Sequence, residues 1–326
     1  MTKVKFSVDE NPTPENWNNL INNSPQSNIF CESIYLNLLD NSFRQIIIKK
    51  GSDIKAGLVF IESKSKEDIV EDELLIYGGI LFMRDSIKKN VKKVFDNYEI
   101  TEFIVNYVSN KYKKIFLNLS PEIKDLRPFL WYEYHSKESD KKYSVDLRYT
   151  SYLNISEIKH NDFLNTQFYE SMHTLRKRHI KKANKDKYKV NFSNVADNII
   201  DFYQALMTKQ GIKTDENKLF IMRNLINELI DNKRGVLIEI VNQSKIVLYS
   251  VFYVWDSKRA YFLFGAGNPE ISEQWQGTIA HLEAFKYLSR SKSITEVDFE
   301  GVNSPQRGWF KLSFGGELIS YYHLNR

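Results

Sequence analysis

Cysteine is almost missing from this chain: Cys31 is the only one among 326 residues. A single thiol excludes any intrachain disulfide, and such scarcity suits a reducing compartment. Beside Phe30, Cys31 reads as a small packed side chain rather than a nucleophile. Long apolar runs are missing as well. No stretch of about 18 apolar residues occurs, and the opening "MTKVKFSVDENPTPENW" lacks the apolar segment of a signal peptide. A soluble, cytoplasmic protein is the expectation. Glycine (13) and proline (7) are few while 42% of residues are hydrophobic, which excludes a low-complexity or disordered chain. The six histidines show no metal-ligand spacing and no Ser-His-Asp arrangement, so no metal site is expected.

What is present is length and an order of elements that occurs twice. A chain this long exceeds the size at which one core stops growing, which predicts two domains, 1–150 and 151–326. In the first half "FRQIIIKK" and "AGLVFIES" flank "GSD", "ELLIYGGI" follows as a strand, "SIKKNVKKVFDNYEITEFIVNYVSNK" reads as a helix, and "KKIFLNLSPEIKDLRPFLWYEY" as a strand. In the second half "GVLIEIV" and "KIVLYSVFYVW" flank "NQS", "AYFLFGAG" follows, "GTIAHLEAFKYLSRS" is helical, and "ITEVDFEGVNSPQRGWFKLSFGG" closes the unit. Both copies place Ser-Pro after the last strand, at Ser120-Pro121 and Ser304-Pro305. Between them lie helical stretches, "FLNTQFYESMHTLRKRHIKKANK" and a longer one interrupted at Gly211 and capped at Thr214-Asp215. Two copies of one α/β unit fit this order. With no Pro-, Gly- or Ser-rich linker between the halves, a cleft between domains is the expected ligand site.

The copies differ in charge. The first closing strand offers Asn118, whereas the second carries Asp298 and Glu300 at alternate positions and then Arg307 and Lys311. Period-two spacing puts Glu296, Asp298 and Glu300 on one face. For Glu296 and Glu300 a solvated face is the plain alternative. Asp298, set between Val297 and Phe299, is either a functional carboxylate or an acceptor for the loop that follows. Lys311 lies between Trp309-Phe310 and Phe314-Gly315, so its stem packs on rings and its ammonium is held in place. In "TLRKRHIKKANKDKYK" eight cations, Arg176 to Lys189, face the single acid Asp186. That is a local positive field, read either as a site for an anionic partner or as a solvated face. Upstream of the closing segment, Gly277 opens a helix whose free N–H groups and dipole attract phosphate, a weak signal by itself.

In order and content, "TLRKRHIKKANKDKYKV", "FYQALMTKQGI", "YFLFGAGNPE" and "VDFEG" through "FKLSFGGEL" resemble the FemAB-like branch of the GNAT acyltransferase superfamily, over nearly the whole chain. The resemblance implies an α/β fold of tandem GNAT-like domains with mixed sheets, without the coiled-coil arm of some bridge-forming members, since no heptad stretch of that length occurs. It implies Lys311 as the group that steadies an oxyanion, and Arg176, Arg178 and Lys181 as substrate-binding residues; Arg307 of the closing segment is a further substrate-binding candidate. "QWQGTIA" matches the family's pyrophosphate loop at Gln274 and Gly277 but has Ile279 where Gly or Ala is usual; Gln274, Gly277 and Thr278 are the donor-binding candidates.

The expected reaction is transfer of an acyl or aminoacyl group from an activated ester or thioester to a primary amine of a cell-envelope precursor, peptidoglycan or polysaccharide. Asp298, then Glu300, are the candidate bases or amine-orienting groups. No tightly bound cofactor is expected; acyl-coenzyme A or aminoacyl-tRNA is the co-substrate. The acceptor is an anionic small molecule or a lipid-linked sugar, with tRNA as a further partner, no DNA, and work near a membrane without spanning it. Two alternatives stand beside this one. One is an acyl-coenzyme A-dependent N-acetyltransferase for a nucleotide-linked amino sugar. The other is a non-catalytic nucleic-acid-binding module. His281 is expected to be a half-buried helical residue, not a catalyst.

Overall fold

The structure, a computed structural model, describes residues 6–39, 42–85, 89–159, 162–271 and 273–326. The chain divides into two compact units, residues 1–148 with 320–326, and residues 149–319.

Unit 1 begins with β1 (Phe6–Asp9), α1 (Pro14–Asn23) and α2 (Ser33–Leu36), followed by β2 (Ser42–Lys50), β3 (Asp53–Glu62), β4 (Ile69–Val70) and β5 (Gly79–Phe82). These strands form one antiparallel sheet, ordered β1-β2-β3-β4 with β5 also on β3. Its apolar face is covered by α3 (Asn90–Lys111), which buries Ile100, Ile104, Val105 and Val108 at helical spacing. β6 (Phe116–Asn118) and α4 (Arg127–Leu130) complete the unit. Two readings shift here. Only Gly79 and Ile80 of "ELLIYGGI" are strand, β5 running on to Phe82 beyond it, and "KKIFLNLSPEIKDLRPFLWYEY" contributes three strand residues before turning to loop and helix. The start of the helical reading, 86–88, lies outside the described residues.

The chain enters unit 2 in β7 (Ser144–Asn154), then forms α5 (Gln167–Ser171), α6 (Thr174–Asp186), β8 (Lys189–Ser193), α7 (Asp197–Lys209) and α8 (Glu216–Asp231). Asp215 caps α8 by accepting from Asn217 N, and Gly211 takes the left-handed φ of +75° that breaks the helical run. Next come β9 (Gly235–Val241), β10 (Val247–Trp255), β11 (Ala260–Gly267), α9 (Gln274–Ser291), β12 (Glu296–Asp298), α10 (Pro305–Leu312) and β13 (Glu317–Asn325). The strand order within this unit is β7-β12-β11-β10-β9-β8, antiparallel except for the parallel pair β11 and β12. α9 is buried over most of its surface and lies in the core, with Ile279, Leu282, Phe285 and Leu288 among its apolar buried residues. The repeated order therefore holds: a hairpin, a third antiparallel strand, a long helix, a short strand, a helix opened by proline. Mixed α/β units with their helices packed on sheets are what the alternating runs imply. Among the described residues no helix is long and apolar enough to cross a membrane.

Candidate functional site

In unit 2 the parallel strands β11 and β12 pair only at Ala260↔Val297 and Tyr261↔Asp298. β11 runs on to Gly267 against β10, while the other chain turns away through Glu300 and Gly301, both left-handed at φ 47° and 53°. A non-glycine residue in that region costs about 1–2 kcal/mol, so the turn must be held from outside. Two side chains hold it. Fully buried Asp298 accepts at Oδ1 from Thr150 Oγ1 (2.5 Å) and from Glu300 N (2.8 Å). Lys311 Nζ donates to the carbonyl oxygens of Glu300 (2.5 Å) and Gly301 (3.1 Å). Lys311 reaches them because α10 closes on the loop at Gly308, where a Cβ would stand 2.4 Å from Val302 O.

Burial governs the charges at this turn. It pushes Lys311 down to about 8, with Glu300 and Asp298 opposing only in part, and its ammonium sits 5.2 Å from the centre of the Phe262 ring. Burial, then Asp298, raises Glu300 well above the usual carboxylate range, against the pull of Lys311, and its Oε1 is buried with no hydrogen-bond partner. His281 is fully buried, shares a 2.5 Å hydrogen bond with Tyr253 Oη through Nδ1, and lies among Phe262, Phe310 and Phe314. Burial, then Lys311 and Arg176, holds it at about 3, so the imidazole is neutral.

Next to this turn a cavity of about 750 Å³ opens, walled by Leu175 and Arg176 of α6, Tyr249 of β10, Gln274 and Gly277 of α9, and Trp309 and Phe310 of α10. α6 turns Arg176, His179, Ile180 and Ala183 inward, an i, i+3, i+4, i+7 stripe. Arg176 is only 2% exposed. Its guanidinium lies 4.6 Å from the Phe310 centroid, and Nη1 donates to Thr278 Oγ1 at 2.5 Å. His179 Nδ1 shares the same hydroxyl at 2.8 Å. Burial lowers Arg176 to about 10, which leaves it charged at neutral pH. Among the described residues no carboxylate forms an ion pair with it, and its Nε has no hydrogen-bond partner. A buried guanidinium without a counter-ion, at the wall of an open cavity, has the charge and donor geometry to pair with an anion.

The opening of α9 has its own anion. Glu273 and Gln276 form a reciprocal capping box, and Lys182 pairs with the Glu273 carboxylate.

The residues singled out from sequence fall into three groups. Arg176, Gln274 and Gly277 meet at the cavity. Lys311, Asp298 and Glu300 meet at the turn, but Lys311 does not line the cavity: it stands on α10, and its ammonium faces backbone carbonyls. Arg178, Lys181 and Arg307 are exposed and away from the cavity wall, because α6 can turn only every third or fourth residue inward. Thr278 points to Arg176 and His179 and is fully buried. Glu296 pairs with Arg259 at 3.0 Å, whereas Glu300 is buried, not solvated, because the strand ends at Asp298. His281 is fully rather than half buried. Sequence reading missed Tyr249 and His179 altogether, and took Trp309 and Phe310 only as packing for Lys311; for His179 the available signal was its place one helical turn after Arg176 and beside Ile180.

No family model matches the chain, and no curated protein matches it by sequence. Solved structures do. FemX superposes with a TM-score of 0.64 at 12% identity, over 97% of this chain and 96% of FemX. A tandem GNAT protein from the clavulanic acid biosynthesis pathway gives 0.55 at 9%, over 99% and 98%. L-PGS from Bacillus licheniformis gives 0.54 at 10%, over 98% and 94%. At such identities the likeness is one of fold, and it extends over the full length in each case. The chain thus carries the FemAB-like, tandem GNAT-type fold.

Proposed function

We propose that this protein transfers an acyl or aminoacyl group from an activated ester or thioester to a primary amine of a cell-envelope precursor, peptidoglycan or polysaccharide. The observation that carries the reading is the buried, acid-free Arg176 on the aromatic wall of the 750 Å³ cavity. Such a cation pairs with the phosphate or carboxylate of a substrate while Trp309, Phe310 and Tyr249 take an apolar portion. Lys311 has three donors and uses two on carbonyls, which leaves one for the oxygen that gains charge as the amine attacks. Glu300 is the better base of the two carboxylates. A raised pKa moves it towards that of the amine, whereas Asp298 Oδ1 is engaged with Thr150 and the backbone.

Two observations favour a donor other than coenzyme A. The Glu273 carboxylate caps the helix end where a pyrophosphate would bind, and Ile279 is buried at the position where a smaller residue is usual. The outward cations Arg178, Lys181 and Lys185 suit a polyanionic donor such as aminoacyl-tRNA. Mass spectrometry of the amide formed from amino-sugar and peptide amines, with acyl-coenzyme A and aminoacyl-tRNA offered separately, tests the proposal. Product should form with one donor and fall sharply in Arg176→Ala; no amide with either donor overturns it.

A further inference from the structure

Unit 1 holds a second cavity of about 750 Å³, remote in sequence from the residues of the unit 2 site. It runs along α3 beside α4 and β1. Its floor is aromatic and fixed. Arg127 is clamped by Asp125 through two hydrogen bonds (2.8 and 2.6 Å) and lies 5.3 Å from the Tyr98 centroid and 5.6 Å from that of Trp131. The two rings are themselves 5.7 Å apart, and Phe6 packs on Phe103 at 5.4 Å. Trp131 and Phe95 nevertheless leave 52% and 64% of their surface to solvent, far more than packing requires.

Its rim is polar: Glu99, Glu102, Asn106 and Lys50. Among the described residues neither Glu99 nor Glu102 has an ion-pair partner; Tyr98 Oη donates to Glu102 at 3.5 Å. A lipid surface would strip water from both carboxylates, and a polyanion would be repelled by them. A pyranose ring has the matching character, with a C–H face for the aromatic floor and hydroxyls for the rim. A positively charged amino group on it would meet Glu99 and Glu102.

From this lining we infer that the α3 groove of unit 1 binds an amine-bearing oligosaccharide, with its sugar rings on Trp131 and Phe95 and its ammonium groups against Glu99 and Glu102. Binding here needs no turnover, so it stands or falls apart from the transferase reading.

Calorimetry and tryptophan fluorescence with a tetramer of β-1,4-linked glucosamine, and with its N-acetylated counterpart, test the inference. The glucosamine tetramer should bind the intact protein more tightly than the acetylated one. Trp131→Ala, at an exposed ring, should weaken it at least tenfold with unchanged melting, and Glu99→Gln with Glu102→Gln should abolish the preference. No binding of either tetramer at millimolar concentration, binding untouched by Trp131→Ala, or equal affinity for the two sugars overturns it. Capture on anionic phospholipid vesicles that depends on Trp131, in place of sugar binding, does so too.

Discussion

Replacing Lys311 by methionine separates what the buried ammonium costs the fold from what it does in the reaction. Its pKa is pushed from the ordinary 10.5 down to about 8, because burial makes the folded chain hold that proton more weakly than the unfolded one. At 1.36 kcal/mol per unit the drop is worth about 3 kcal/mol. Between pH 8 and 10.5 the unfolded chain carries more protons, so stability rises with pH through that window, and the penalty is fully present below pH 8. Methionine removes this penalty but leaves the carbonyls of Glu300 and Gly301 without a donor, at roughly 1–3 kcal/mol each. The two effects oppose one another, so near neutral pH the variant should lie within a few kcal/mol of the parent. Raising the pH to about 10 should then shift the difference in the parent's favour by up to about 3 kcal/mol. Denaturant midpoints followed by fluorescence at pH 7, 8.5 and 10 measure the difference; repeating the pair in a Glu300→Gln background removes the coupled carboxyl. A difference that stays flat with pH refutes the buried-charge argument. In the same variant, turnover should fall about 10²- to 10³-fold if the third N–H serves the oxyanion; a folded variant with full activity refutes that role.

Three further outcomes follow from the geometry. Arg176→Lys keeps a charge but loses the flat contact with Phe310, so transfer should drop at least tenfold, mostly through KM, as steady-state kinetics would show. His281 at about 3 and His179 at about 4 are both depressed from 6.5, so the unfolded chain takes up protons first and stability should fall as pH drops from about 6.5 towards 3. His281→Phe should flatten part of that acid limb in a pH series of melting curves. Gly308→Ala places a methyl 2.4 Å from a backbone oxygen, and calorimetry should show unit 2 destabilised by about 1–3 kcal/mol; unchanged melting would mean that α10 does not seat against the loop as described.

Much of this fold is legible in the order of residues alone. Runs such as "AYFLFGAG" and "GVLIEIV" are apolar over a strand's length and bounded by turn formers, and they became β11 and β9 at the bounds read from sequence. Gly211 and Asp215 act on their immediate neighbours, so the break between α7 and α8 was equally local. The functional geometry was not local. Within α6 six of the thirteen positions carry Lys or Arg, so charge alone cannot say which one faces inward; packing against α9 selected Arg176, whose hydroxyl partner Thr278 lies 102 residues away. A strand reading carried Glu300 to the solvated face of Asp298, whereas a left-handed turn held by Lys311 and Asp298 buried it. Residue type determined that these charges would be available. Only tertiary packing decided which of them left water, because the desolvation that shifts and fixes a charge depends on neighbours that the chain brings together from far apart.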